Sequence, residues 1–127
     1  MARRSDFVDH VVETMRLFGP VEAKSMFGGW GLYHAGVFFA LIAEDALYIK
    51  VDDANRADFE ARKLQPFVYE TRDGQKIAMS YWQAPEDALE SPAVMVKWAR
   101  SGYGAALRAA ARKKPARPRS TTRKAKT

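Results

Sequence analysis

Three glycines in four positions, Gly28-Gly29-Trp30-Gly31, lie within the run Ser25-Met26-Phe27-Gly28-Gly29-Trp30-Gly31-Leu32-Tyr33. No other stretch of the chain is so particular about residue type. A phosphate-cradling loop needs a helix N-terminus after the glycines and often a lysine, and here a strand-like segment follows with no Gly-Lys-Ser/Thr. The stretch reads instead as a β-bulge or tight connection that uses positive φ. It predicts a first strand over residues 21–27 turning into a second over 29–33, with Met26, Phe27 and Leu32 buried.

The flanking patterns continue that sheet. His34-Ala35-Gly36 is a turn, residues 37–43 a third strand, Glu44-Asp45 a second turn and residues 46–51 a fourth strand, an antiparallel meander. The third, Val-Phe-Phe-Ala-Leu-Ile-Ala, is apolar on both faces and does not alternate. It is therefore central, and its second face calls for cover by dimerisation, the C-terminal helix or a partner. Upstream, Phe7, Val8, Val11, Val12, Met15 and Phe18 form one helical stripe, capped by Ser5 or Asp6 and stopped by Gly19-Pro20. Downstream, Asp52 or Asp53 caps a short helix with Ala57, Phe59, Ala61 and Leu64 as inward residues. Asp73-Gly74 joins strands 67–71 and 76–82, the latter with Ile77, Met79 and Tyr81 on one face. Residues 85–89 are a turn or short helix. Ser91-Pro92 opens a last helix, which Gly102 and Gly104 weaken; its continuation over residues 105–111, before Pro115 and Pro118 end regular structure, stays open. The order α-β4-α-β2-α makes the chain α+β, two layers with a single antiparallel sheet.

Charge divides the chain in two. Residues 1–104 hold twelve Lys/Arg and all fifteen Asp/Glu, a net −3, whereas the remaining nine cations fall in residues 105–127. These are Arg108, Arg112, Lys113, Lys114, Arg117, Arg119, Arg123, Lys124 and Lys126. The expected division is a folded domain over 1–104 and a basic, disordered tail over 105–127. Such a tail is a sequence-independent binder of nucleic acid, DNA or RNA; a solubilising terminus is the alternative.

Enzymatic chemistry finds no support. His10 and His34 are single and read as solvated. Asp52-Asp53 and Glu86-Asp87 read as helix caps and dipole partners. No set of residues fits nucleophile, base and orienter. The chain has no cysteine, which removes disulfides and thiolate zinc ligands and fits a reducing compartment. No catalytic residues, metal or cofactor are expected. No run is long and apolar enough to span a bilayer, so a cytoplasmic protein is expected. Tyr33, Tyr48 and Trp82 fall opposite the aliphatic positions of their strands, which sets an aromatic layer on the second sheet face. The element order is not that of an RNA-recognition motif, so a second core layer or a dimer interface is the expected use.

Residues 25–33, with Gly36-Val37-Phe38-Phe39-Ala40-Leu41-Ile42 and Leu47-Tyr48-Ile49-Lys50-Val51-Asp52, resemble the N-terminal domain of the TfoX/Sxy competence regulators. Phe67, Met79-Ser80-Tyr81-Trp82, Pro85-Glu86 and the helix containing Trp98 extend the similarity over about residues 5–103. The motif residues Met26, Phe27, Gly28, Gly29, Trp30, Gly31, Leu32 and Tyr33 carry it. The resemblance implies a fold like that of type III secretion chaperones and a non-enzymatic role. Full-length members resemble transcriptional co-activators of DNA-uptake genes working with the cyclic-AMP receptor protein. They carry a second domain, where this chain has its basic tail. The expected function is a transcription- or competence-related accessory acting through protein contacts, with tail-mediated nucleic-acid binding. The alternative is a chaperone-like interaction module, homodimeric or partner-bound, with no nucleic-acid role.

Overall fold

The computed structural model describes residues 6–26 and 28–113. In chain order these form α1 (Asp6–Thr14) with a 3-10 turn at Met15–Leu17, strands β1 (Glu22–Met26), β2 (Gly29–His34), β3 (Val37–Ala43) and β4 (Ala46–Lys50), helix α2 (Arg56–Ala61), strands β5 (Pro66–Glu70) and β6 (Lys76–Gln83), and helices α3 (Glu86–Glu90) and α4 (Pro92–Lys113). The class is α+β, as expected. One open sheet has the order β1-β2-β3-β4-β6-β5, and every neighbouring pair is antiparallel. Of residues 85–89, for which the sequence allows a turn or a short helix, Pro85 is the extended N-cap position and the other four belong to α3.

The β2–β3 and β3–β4 connections turn tightly because each takes positive φ at its two residues, Ala35 (50°) and Gly36 (79°) in the first and Glu44 (51°) and Asp45 (58°) in the second. That is the backbone hand that matches strand twist in a short hairpin. In β3 the register slips, Leu32 pairing with Ala40 and Tyr33 with Phe38. Phe39 is the extra residue, so Phe39 and Ala40 are both fully buried. This bulge explains part of why the strand fails to alternate.

The helices cover one sheet face. Val8, Val11 and Met15 of the first helical segment pack with Leu32, Phe39, Ile42, Leu47, Ile49, Phe59, Met95 and Trp98 in one core. In α2 only Phe59 is buried; Ala57 and Ala61 are exposed, because the helix is too short to present more than one residue inward. Ser91 Oγ accepts from the Val94 amide at 3.3 Å, capping α4 ahead of Pro92.

Two expectations about the C-terminal part are corrected. Gly102 does not weaken α4 into a boundary. A Cβ there would overlap Ile49 Cγ2 and lie 3.3 Å from the Phe39 carbonyl oxygen, so the glycine is where helix meets sheet. The helix runs on, with Ala105 and Ala106 buried, and the folded part extends past residue 104 to Lys113. Arg108 is accordingly no tail residue. Its Nε and terminal nitrogen donate to both oxygens of Asp52, at 2.6 and 3.0 Å. Beside this pair, buried Asn55 Nδ2 reaches the Lys50 carbonyl (3.1 Å) and Ser101 Oγ (2.9 Å), and its Oδ1 accepts from the Asp52 amide. Together they tie the end of β4 to α4.

Candidate interaction face

Among the described residues, no helix covers the second face of the sheet. Register decides what lies on it. Glu22 pairs with Tyr33 and Lys24 with Gly31, Tyr33 with Phe38 and Gly31 with Leu41, Leu41 with Tyr48, and Lys50 with Tyr81. Directly paired residues share a face. Five aromatic rings therefore stand together on the uncovered side. Phe38 bridges Tyr33 and Tyr81 at centroid distances of 5.3 and 5.4 Å, and Tyr48 meets Phe67 at 4.9 Å. Gly31 forms the floor, since a Cβ there would lie 2.6 Å from Met26 Sδ and 3.0 Å from the Phe38 ring.

Two lysines lie across the rings, Lys24 Nζ 4.7 Å from the Tyr33 centroid and Lys50 Nζ 5.0 Å from that of Tyr81. Lys50 also donates to Ser80 Oγ at 2.7 Å. The strand pairings add a single carboxylate, Glu22, at the outer strand. The acidic body thus turns a mildly cationic, aromatic face outward.

Tyr81 is the anchor of the cluster. Burial pushes its hydroxyl up to about 12 from 10.0, with a smaller push from Tyr33. A raised folded-state value means that folding favours the neutral phenol. Its contribution to stability is complete below about pH 10 and is lost as pH rises towards 12. Denaturant melts across that window should show this loss, and Tyr81→Phe should flatten it; an unchanged alkaline profile in the variant would remove Tyr81 as its source.

Of the aromatics expected on this face, Tyr33 and Tyr48 are there. Trp82 is not. It pairs with Ile49 and meets the Phe59 ring at 6.4 Å, on the helix side, so β6 presents Tyr81 outward instead. The alternation of Ile77, Met79 and Tyr81 was legible; Phe38 was not singled out, because the bulge at Phe39 hides its parity. Met26 is half-buried on the open face, with Gly31, whereas Leu32 is in the core. Gly28 has φ +78° and Trp30 packs against the core; Phe27 lies outside the described residues.

The histidines are not loosely solvated. His10 Nε2 is 2.6 Å from the Leu89 carbonyl oxygen and His34 Nδ1 is 2.7 Å from that of Pro20. His34 also sits between the rings of Phe18 and Tyr103. Both tie chain segments together. Among the described residues no group of three His, Asp or Glu is placed to hold a metal ion, and no helix is long and apolar enough to cross a membrane.

Of the nine cations assigned to nucleic acid, Arg108 is held by Asp52 and Arg112 is exposed near the end of α4. The Lys113 side chain and Lys114, Arg117, Arg119, Arg123, Lys124 and Lys126 lie outside the described residues.

A search of curated proteins finds no match. A comparison with family models matches the TfoX N-terminal domain over residues 13–106. The match spans most of the described elements, the glycine stretch and the aromatic face included, and stops within α4. The chain belongs to the TfoX N-terminal domain family.

Proposed function

We propose that the chain is a non-enzymatic accessory of transcription that grips a protein partner through the open sheet face, while the cations from Arg112 onward add sequence-independent affinity for nucleic acid. One observation carries the reading: five aromatic rings, a contacting trio and a contacting pair, with two lysines on a sheet face that no described element covers. Aromatic residues are enriched where proteins meet proteins, and the two lysines give the face its positive charge. The charge division of the chain supports the second half of the proposal, with Arg108 now subtracted from it.

The structure decides how the tail is to be tested. A cut after residue 104 would remove buried Ala105 and Ala106 and the Asp52–Arg108 pair, and would confuse unfolding with lost binding. The informative truncation ends at Lys113. The full chain is expected to bind duplex DNA with an affinity that drops about a thousand-fold between 50 and 200 mM salt if about six phosphates are engaged. The truncated chain should retain its melting temperature and lose that binding. Equal DNA affinity in both would sink the tail assignment. DNA binding absent from the full chain would favour the chaperone-like reading, which the open face supports without any help from the tail.

A further inference from the structure

The two edges of the sheet differ in kind. Strand β1, Glu-Ala-Lys-Ser-Met, is guarded by charge, with Glu22 and Lys24 exposed. Strand β5, Pro-Phe-Val-Tyr-Glu, carries no charge before its last residue. An unguarded edge is a template for another strand. The hairpin of β5 and β6 also holds most of the large exposed apolar side chains of the described residues: Val68 is 49% exposed, Tyr69 54%, Ile77 45% and Met79 37%. They lie on both faces, since Tyr69 pairs with Ile77 and Val68 with Ala78 on the opposite side.

We propose that β5 pairs antiparallel with β5 of a second copy of this chain, about a two-fold axis at Val68, joining two six-stranded sheets into one. Backbone direction permits it. The Thr71 amide donates inward to the Gln75 carbonyl oxygen at 2.8 Å. In an antiparallel ladder the donors and acceptors alternate in side. Tyr69 therefore turns its backbone groups to β6, and Val68 and Glu70 turn theirs to the free edge. Centred on Val68, the two valines exchange both hydrogen bonds. Glu70 donates to the Pro66 carbonyl oxygen of the second copy, where proline needs no acceptor for an N–H it lacks.

The side chains are self-complementary in the same register. Phe67-Val68-Tyr69 is aromatic, aliphatic, aromatic in either direction, so Phe67 faces Tyr69 of the second copy twice, and Val68 faces Val68. Aromatic cross-strand pairs are among the favourable ones, and a two-fold interface requires such self-matching. The chain's own terminus is a poor occupant, because residues 114–127 contain no apolar side chain larger than alanine or proline. This pairing stands apart from the open-face proposal: it uses the edge, and continues the aromatic face across the two-fold axis.

The cysteine-free sequence gives a clean test. Residues facing each other in a hydrogen-bonded antiparallel pair have Cα atoms about 5.5 Å apart, within disulfide range. On mild oxidation of the full chain, Val68→Cys is expected to form a covalent dimer of twice 14.3 kDa, and Lys24→Cys on the β1 edge is expected to form no disulfide-linked dimer. By sedimentation the unmodified chain should be a dimer. Val68→Lys should weaken it about tenfold or more, since like charges would meet at the axis, with an unchanged circular dichroism spectrum because Val68 is half exposed. Mixing Val68→Lys with Val68→Glu chains should restore association, which a merely misfolded variant could not do. A monomeric unmodified chain, a dimer indifferent to Val68→Lys, or cross-linking at residue 24 and not at 68 would each overturn the pairing.

Discussion

Gly29→Ala is expected to destabilise the domain by about 3 kcal/mol, the upper end of the usual cost of overpacking. A Cβ on Gly29 would overlap the Ile42 carbonyl oxygen, on the backbone of the neighbouring strand. A rotamer change cannot relieve that contact. Either β2 and β3 separate or their pairing shifts, and a one-residue slip would turn Leu32 out of the core. Gly28→Ala is the comparison. Gly28 has φ +78° with nothing near the added Cβ, so its cost is the left-handed backbone alone, about 1–2 kcal/mol. For a domain of this size each kcal/mol lowers the melting temperature by about 4–8 °C. Thermal melts should rank the unmodified chain above Gly28→Ala and Gly28→Ala above Gly29→Ala. The reverse order would mean that backbone conformation, and not close approach of strands, governs the glycine stretch.

Asp52→Ala is expected to cost about 2–3 kcal/mol, the value of a charged hydrogen-bond set at a buried acceptor. The Asp52 side chain is only 7% exposed and takes both bonds from Arg108, besides accepting from the Ala54 and Asn55 amides at 3.0 and 3.3 Å. Arg108 is nearly half exposed and can be rehydrated after the change, so the loss should stay below the cost of stranding a fully buried ion. The hydrogen bond from Arg108 is the largest cause holding the Asp52 carboxyl below its usual value of 3.8, with the two amides adding to it. A lowered folded-state value gives stability that is present above the ordinary carboxylate range and is lost as pH falls through it. Acid melts should therefore show a loss below about pH 4 that is smaller in Asp52→Ala. Arg108→Ala should reproduce much of the effect. Normal stability and acid response in Arg108→Ala would return that arginine to the tail.

These two sites sit at different distances from what a single sequence shows. The glycine stretch announces a backbone constraint by residue type alone, because few other contexts tolerate three glycines so close together. The hairpins at 35–36, 44–45 and 73–74 were legible for the same reason, turn chemistry being local. The helical stripe from Phe7 to Phe18 was legible because burial on one side imposes a period. The α4 continuation was legible only as an open alternative over residues 105–111. Local propensity treats Gly102 and Gly104 as weak points, but a helix held on a sheet by Met95, Trp98, Ala99 and Ala105 is not governed by propensity.

Parity on the sheet shows the same limit. Tyr33 and Tyr48 could be placed outward by alternation, while Trp82 could not, since one bulge or register slip exchanges the faces. The pairing of Lys50 with Tyr81 and of Trp82 with Ile49 settles it. Arg108 looked like one tail cation among nine because charge clustering is additive along a chain. Only the fold brings Asp52, 56 positions earlier, against it.

The chain's own order of residues is enough for the family, the α+β class, the meander and the separation of acidic body from basic end, all of which rest on local patterns and composition. The tertiary structure alone decides which strand edge is unguarded, which aromatics face outward and that α4 stays packed on the sheet past residue 104. Those are properties of contacts between segments far apart in sequence, and neither period nor propensity contains them.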